Sequence, residues 1–435
     1  PKRCDSRILD LVAFVERERG LDFEHPVQVD FLGDAELRAL VTSEEEPTAD
    51  ERAEMERIEA LFRAVGFLTG DVDLHAIGDE LSGDGTVGAY LFEDKRIVVR
   101  GETLDDERRA TLVHELTHAL QEQHFAISTF EPENSGEDAA FTAVVEADAE
   151  KVQDAWLETL SDSDRAALEE AEDEAAGEAD FEGVPPVFIE LMGSPYFLGP
   201  VFLDAVLADR GQRGRDEVLR RPPTTEEHIL LPETYLAKQG ASPVRTPALA
   251  RGETPIKDSE TDFGMLSLLV LLGERLDFSV AWPAVQGWAG DAAVGFERDG
   301  TTCARVSVLF DEASQAGRFR DALVGWANGL ASVKVGLSDR TASLEACDPG
   351  PERPGRPDGH LSGVQGFSLR QTFLQELTTR QVPPGPAACI VDGVMVRMGA
   401  DHLAALDQRI TQSGDIRAQR EVASVTAEVA AGCRG

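Results

Sequence analysis

The sequence predicts an α+β protein, and three observations lead there. Apolar residues recur at helical spacing in long segments, above all Asp105 to His124 and Glu137 to Leu160. Shorter segments alternate with a period of two, as Pro26 to Phe31 and Thr301 to Phe310 do. The chain has 435 residues and 42% hydrophobic content, enough for two or three domains and a sizeable core.

In chain order, residues 7–19 read as a helix and residues 26–31 as a strand. Asp50 to Phe67 is an amphipathic helix carrying Met55, Ile58, Leu61, Phe62 and Val65. Val87 to Phe92, a Glu93-Asp94 turn and Arg96 to Arg100 form a hairpin whose strands could pair with an extended peptide. The two long helices follow, then a run from Ser161 to Glu182 holding ten acids and one Arg, expected to be a solvated insertion. Residues 196–220 and 262–275 are helical. Thr301 to Phe310, Ser314 to Ala327 and Ser332 to Cys347 make a small sheet-and-helix unit. Pro349 to Gly363, with four Pro and four Gly, is a linker, and the tail from Leu369 to Cys433 is mostly helical. The expected division is 1–250, 251–348, a 349–363 linker and 364–435.

Charge narrows the function. Acids outnumber bases 81 to 41, a net charge of −40, which argues against nucleic acid and anionic membranes as partners. The longest nearly unbroken apolar run, Phe263 to Leu272, is too short for a membrane span. Only six of the 41 bases are Lys. Such a surface suits a salty, halophilic setting, and a GC-rich genome would produce the same bias. Four of the five cysteines fall into pairs, 303 with 347 and 389 with 433, as disulfides of exported proteins do; Cys4 is left over. The expected location is outside the cytosol, with any signal peptide already removed from this sequence.

The chemistry lies in His114-Glu115-Leu116-Thr117-His118. Two His at i and i+4 share one helix face and can reach a single metal ion. Glu115 points about 100° away, able to touch a water on that ion without ligating it. A third ligand is needed. His124 is ten residues past His114, but Ala119 to Gln123 favour a continuous helix, which carries it out of reach. Glu146 is the better candidate, on the polar flank of the second long helix beside Ala139, Ala143 and Ala147, where small residues permit a close neighbour. Glu150, one turn on, could support a ligand His as a hydrogen-bond partner.

His114 to His118 followed by a Glu on the next helix resembles the gluzincin zinc metallopeptidases. Thr111 to Gln121 together with Val145-Glu146-Ala147-Asp148-Ala149 is similar to uncharacterised exported actinobacterial HExxH proteins. The likeness extends to Ser194-Pro195-Tyr196, Pro222-Pro223-Thr224-Thr225-Glu226 and Gly287-Trp288-Ala289-Gly290-Asp291, over roughly residues 7–350. The usual gluzincin helix carries ExxxD, whereas this chain has Glu146 and Glu150. The resemblance implies a zincin-like domain with Zn2+ on His114, His118 and Glu146, and Glu115 as general base, acting on a peptide or protein substrate. An oxyanion donor is also required, with Tyr196 preferred over His228. Two alternatives stand beside this: a catalytically quiet, zinc-containing envelope or binding protein, and a zinc amidase acting on a cell-wall amide.

Overall fold

The computed structural model describes residues 5–41, 48–70, 72–75, 77, 87–101, 103–178, 184–257, 259–351 and 360–433. Cys4, residues 179–182 of the acidic run and most of the Pro/Gly linker lie outside these. The chain is an α+β protein, as its patterning predicts.

The N-terminal part sets helices on a small sheet. Helix α1 (Leu9–Arg19) leads to strand β1 (Gln28–Leu32), then α2 (Asp34–Val41) and α3 (Ala49–Val65). Strands β2 (Gly88–Leu91) and β3 (Arg96–Arg100) form the hairpin, with Lys95 at φ 51° in its turn. β3 is central: β1 pairs with it in parallel and β2 antiparallel. Among the described residues β2 is therefore the edge strand of the hairpin, and the expectation that β3 receives a peptide is corrected. Helices α4 (Asp106–Phe125) and α5 (Ser135–Leu157) follow.

The acidic run continues as α6 (Asp162–Glu178), after which α7 (Pro186–Arg210) and α8 (Gln212–Arg220) are separated by Gly211. α9 (Glu226–Leu230) and α10 (Pro232–Leu236) are single turns. Then come β4 (Thr254–Pro255), α11 (Met265–Gly273), α12 (Phe278–Val285), β5 (Trp288–Arg298), β6 (Thr301–Phe310), α13 (Ala313–Trp326), β7 (Val333–Ser338) and β8 (Thr341–Cys347). These strands form a five-stranded antiparallel sheet in the order β4-β5-β6-β8-β7. Helices α14 (Gly363–Thr379), α15 (Pro384–Met398), α16 (Ala400–Ser413) and α17 (Ile416–Gly432) complete the chain.

Both expected disulfides are present. Cys303 and Cys347 face each other across β6 and β8, and Cys389 links α15 to the end of α17. The buried apolar side chains form two clusters. One cluster runs from Ile8 to Trp156, around α1, the small sheet and α4. A larger one runs from Val65 to Leu403 and is continuous with the C-terminal helices. α5 joins them, giving Val152 and Trp156 to the first and Phe141 and Val144 to the second. Among the described residues one helix, Val187–Arg210, is long and apolar enough by length and composition to cross a membrane, with 33% of its most apolar window buried. It qualifies although Pro195 and Pro200 interrupt it.

Candidate metal centre

α4 starts where the Asp105 carboxylate accepts the Arg108 N–H at 3.1 Å, with Asp106 and Glu107 favouring the helix dipole in the first turn. It ends at Ala126 in the left-handed region, φ 51°. The uninterrupted helix sets His114 and His118 one turn apart with ring centroids at 4.7 Å. Every residue from Glu115 to Glu122 is buried, more than the half-buried helix that the pattern suggests.

α5 brings Glu146 to these rings. Its Oε2 lies 3.1 Å from His114 Nε2 and 3.6 Å from His118 Nε2, and one ligand atom of each residue lies within 4.8 Å of the others. Two ligands of a tetrahedral zinc ion stand about 3.4 Å apart, from metal–ligand bonds of about 2.0–2.1 Å, so this donor set fits such an ion. Burial alone would lower the His118 imidazole, but Glu146, Glu115 and Gln121 push it up to about 9. Glu146, although buried, is held well below the usual carboxylate range by hydrogen bonds to both histidines.

Each histidine is backed by an amide rather than a carboxylate. His114 Nδ1 meets Gln153 Oε1 at 3.0 Å, and His118 Nδ1 meets Gln121 Oε1 at 2.9 Å. Gln121 Nε2 donates to Val145 O at 3.0 Å and to Asp148 Oδ2 at 2.8 Å, which leaves Oε1 as the acceptor. His118 therefore carries a proton on Nδ1 and turns Nε2 toward Glu146. Asp148 is fully buried between Arg19 of α1, at 3.1 Å, and Arg215 of α8. Burial opposes its charge, but the two guanidinium groups outweigh burial and hold Asp148 below the usual range. Glu150, the expected support, lies instead beside Asp154 and Glu146; burial first, then those charges, raises it to about 8.

Glu115 faces the sheet. Its Oε2 accepts the Tyr90 N–H of the β2 edge at 2.7 Å. Gly88 allows this approach, since a Cβ there would stand 2.8 Å from Thr111 Cγ2 of α4. On the other side, α7 crosses α5 at Gly199, where a Cβ would lie 2.2 Å from Ala143 O and 2.9 Å from the Ala147 Cβ. The small residues expected beside Glu146 thus do admit a neighbouring helix. That contact brings the Tyr196 hydroxyl to Glu146; burial, then the carboxylates of Glu146, Glu115 and Glu150, raise its pKa well above the ordinary tyrosine value. Tyr196 sits mid-helix rather than at a helix start, because Pro186 at the first position begins α7 ten residues earlier.

Two alternatives are placed elsewhere. His124 Nε2 lies 2.8 Å from Asp22 O at the end of α4, and His124 is not part of the metal-ligand cluster. Both ring nitrogens of His228 are taken by backbone, Nδ1 by Thr224 N–H at 3.2 Å and Nε2 by Gln239 O at 2.7 Å, so it offers no oxyanion donor. The other two motif blocks converge on the start of α11. Glu226 accepts the Leu266 N–H at 2.6 Å, and Asp291 accepts the N–H groups of Phe263 and Gly264 and the Trp288 indole. Their role there is to satisfy a buried helix N-terminus.

The residues that pattern reading missed are Gln121, Gln153, Asp148 and the Tyr90 backbone. Gln153 had a signal: it lies seven residues past Glu146 on the same stripe of α5. Comparison with protein-family models, with curated proteins and with solved structures finds no match to this chain.

Proposed function

We propose that the chain is a zinc-dependent peptidase with a zincin-like site, working outside the reducing cytosol. The observation that carries this is the convergence of His114, His118 and Glu146 with Glu115 buried alongside and joined to an open strand edge. A purely structural zinc site has no need of Glu115. The two disulfides support the location.

The arrangement divides the work of hydrolysis. His114, His118 and Glu146 would hold the zinc ion, which would supply a Lewis acid and lower the pKa of a bound water. Glu115 accepts the proton as the water oxygen attacks the carbonyl carbon. As the carbon–nitrogen bond breaks, Glu115 passes that proton to the leaving nitrogen. The Tyr196 hydroxyl donates a hydrogen bond to the oxyanion. The β2 edge orients an extended substrate beside Glu115.

The test is turnover of a mixed peptide pool by the wild type and by Glu115→Gln, with zinc measured in both. We expect cleavage by the wild type and a loss of about 10²–10⁴-fold in the variant at unchanged zinc content. A zinc-loaded wild type that cleaves nothing would favour the quiet zinc protein instead.

A further inference from the structure

A closed cluster of charge lies beside the metal centre and touches no metal ligand directly. The side chains of Arg19, Asp148 and Arg215 are each only 1% exposed, and Asp216 completes the cluster at 26%. Two bases face two acids, so the cluster is neutral. Apolar side chains of the same volume would stabilise such a core at least as well. What they would not supply is direction.

The hydrogen bonds show what is directed. Arg215 Nε donates to Asp148 Oδ1, and its Nη2 donates to the Asp148 carbonyl at 2.7 Å, so side chain and backbone of one residue are held together. Arg19 Nε donates to the other carboxylate oxygen, Oδ2, at 3.1 Å, and Arg19 Nη2 is tied to Asp216 at 3.1 Å. With Oδ1 occupied, Oδ2 is the oxygen that receives Gln121 Nε2, at 2.8 Å. That bond turns Gln121 Oε1 toward His118 Nδ1. A primary amide freed from this anchor could rotate by 180° and present its NH2 to the same nitrogen, which would reverse the donor and acceptor of the ring.

The two arginines come from different parts of the core. Arg19 ends α1, whose Leu11 and Val15 belong to the first cluster; Arg215 is on α8, whose Val218 and Leu219 belong to the second. α8 is set close on α7 by Gly214, where a Cβ would stand 2.6 Å from the Arg210 Cβ and 3.0 Å from Val206 Cγ1. We propose that Arg19 and Arg215 are positioning residues for His118, acting through Asp148 and Gln121, so that metal affinity depends on the docking of α1 and α8 on α5. The proposal rests on the metal centre and is independent of peptidase activity.

The experiment is a double-mutant cycle on the full chain, read by chelator competition for Zn2+, with the Co2+ absorption spectrum as a second readout of ligand geometry. Arg215→Gln should weaken Zn2+ binding about tenfold or more and alter the Co2+ spectrum. Added to Gln121→Ala, it should weaken binding by less than about twofold further, because the path to His118 is already cut. Arg19→Gln should behave in the same way, and Arg215→Lys carries the test if the glutamine variant does not fold. Losses that add in full would reveal an effect of stability alone and overturn the proposal. Unchanged Zn2+ affinity in both arginine single variants would overturn it as well, leaving the metal centre intact. A wild type that binds no Zn2+ would reject the metal centre itself, and the proposal with it.

Discussion

Gln121 shows how a single side chain sets the state of a metal ligand. Its amide is oriented by Val145 O and Asp148, and it in turn fixes the proton of His118 on Nδ1. Gln121→Ala should therefore weaken zinc binding about 10–100-fold in a chelator competition, with the far-ultraviolet spectrum unchanged. Unaltered affinity would show that the amide does not position the ring. Tyr196→Phe should lower kcat about 10²–10³-fold at constant zinc content, because one oxyanion donor is removed. An unchanged kcat would take Tyr196 out of the mechanism. The ligands were legible in sequence for a simple reason: His114 and His118 share a helix, whose geometry fixes their separation. Glu146 was legible through its flank of Ala143 and Ala147. Glu150 and Gln153 lie one and two turns past Glu146, and which of them meets His114 depends on how two helices sit against each other. No local pattern reports that.

Among the elements, α4, α5, β6 and α13 were read to within about three residues, because apolar residues recur along each at the spacing of its own helix or strand. β5 was not read. Its residues from Gly290 to Phe296 are all buried, so it lacks alternation, and Gly290 and Gly295 interrupt its apolar run. α12 escaped through Pro283 inside it. The crossing of α5 and α7 is the element contact on which the site depends. Gly199→Val would drive methyl groups into Ala143 O, and we expect about 1–3 kcal/mol of destabilisation. The companion effect is loss of the Tyr196 contribution to kcat; a variant as stable and active as the wild type would contradict the crossing.

On the scale of the whole molecule, the charge of −40 was the plainest signal, and it leads to a stability prediction. Salt should raise the melting temperature by screening self-repulsion. Buried carboxyls add a pH dependence. Burial raises Glu226 to about 8 and Asp291 to about 6, against the hydrogen bonds they accept. These acids keep their protons when folded, while the unfolded chain releases its own above about pH 4–4.5. Stability of the metal-free protein should thus fall as pH rises from about 5 to 8. Glu226→Gln should flatten that slope; an unchanged slope would exclude Glu226 as its source. At the acid end the sign reverses. Hydrogen bonding from Arg305, Ala250 and Arg298 holds Glu253 at about 2. Glu345 is also held at about 2, where Arg298, Lys334 and Arg305 overcome burial. Their contribution is lost as pH falls from about 4.5 toward 2.

Metal content tests the constellation of His114, His118 and Glu146 most directly. Elemental mass spectrometry on the wild type and on Glu146→Ala, each reconstituted with zinc and desalted, should find about one zinc per chain in the first and far less in the second. Equal zinc in both would place the third ligand elsewhere, and no metal in either would contradict the metal centre itself.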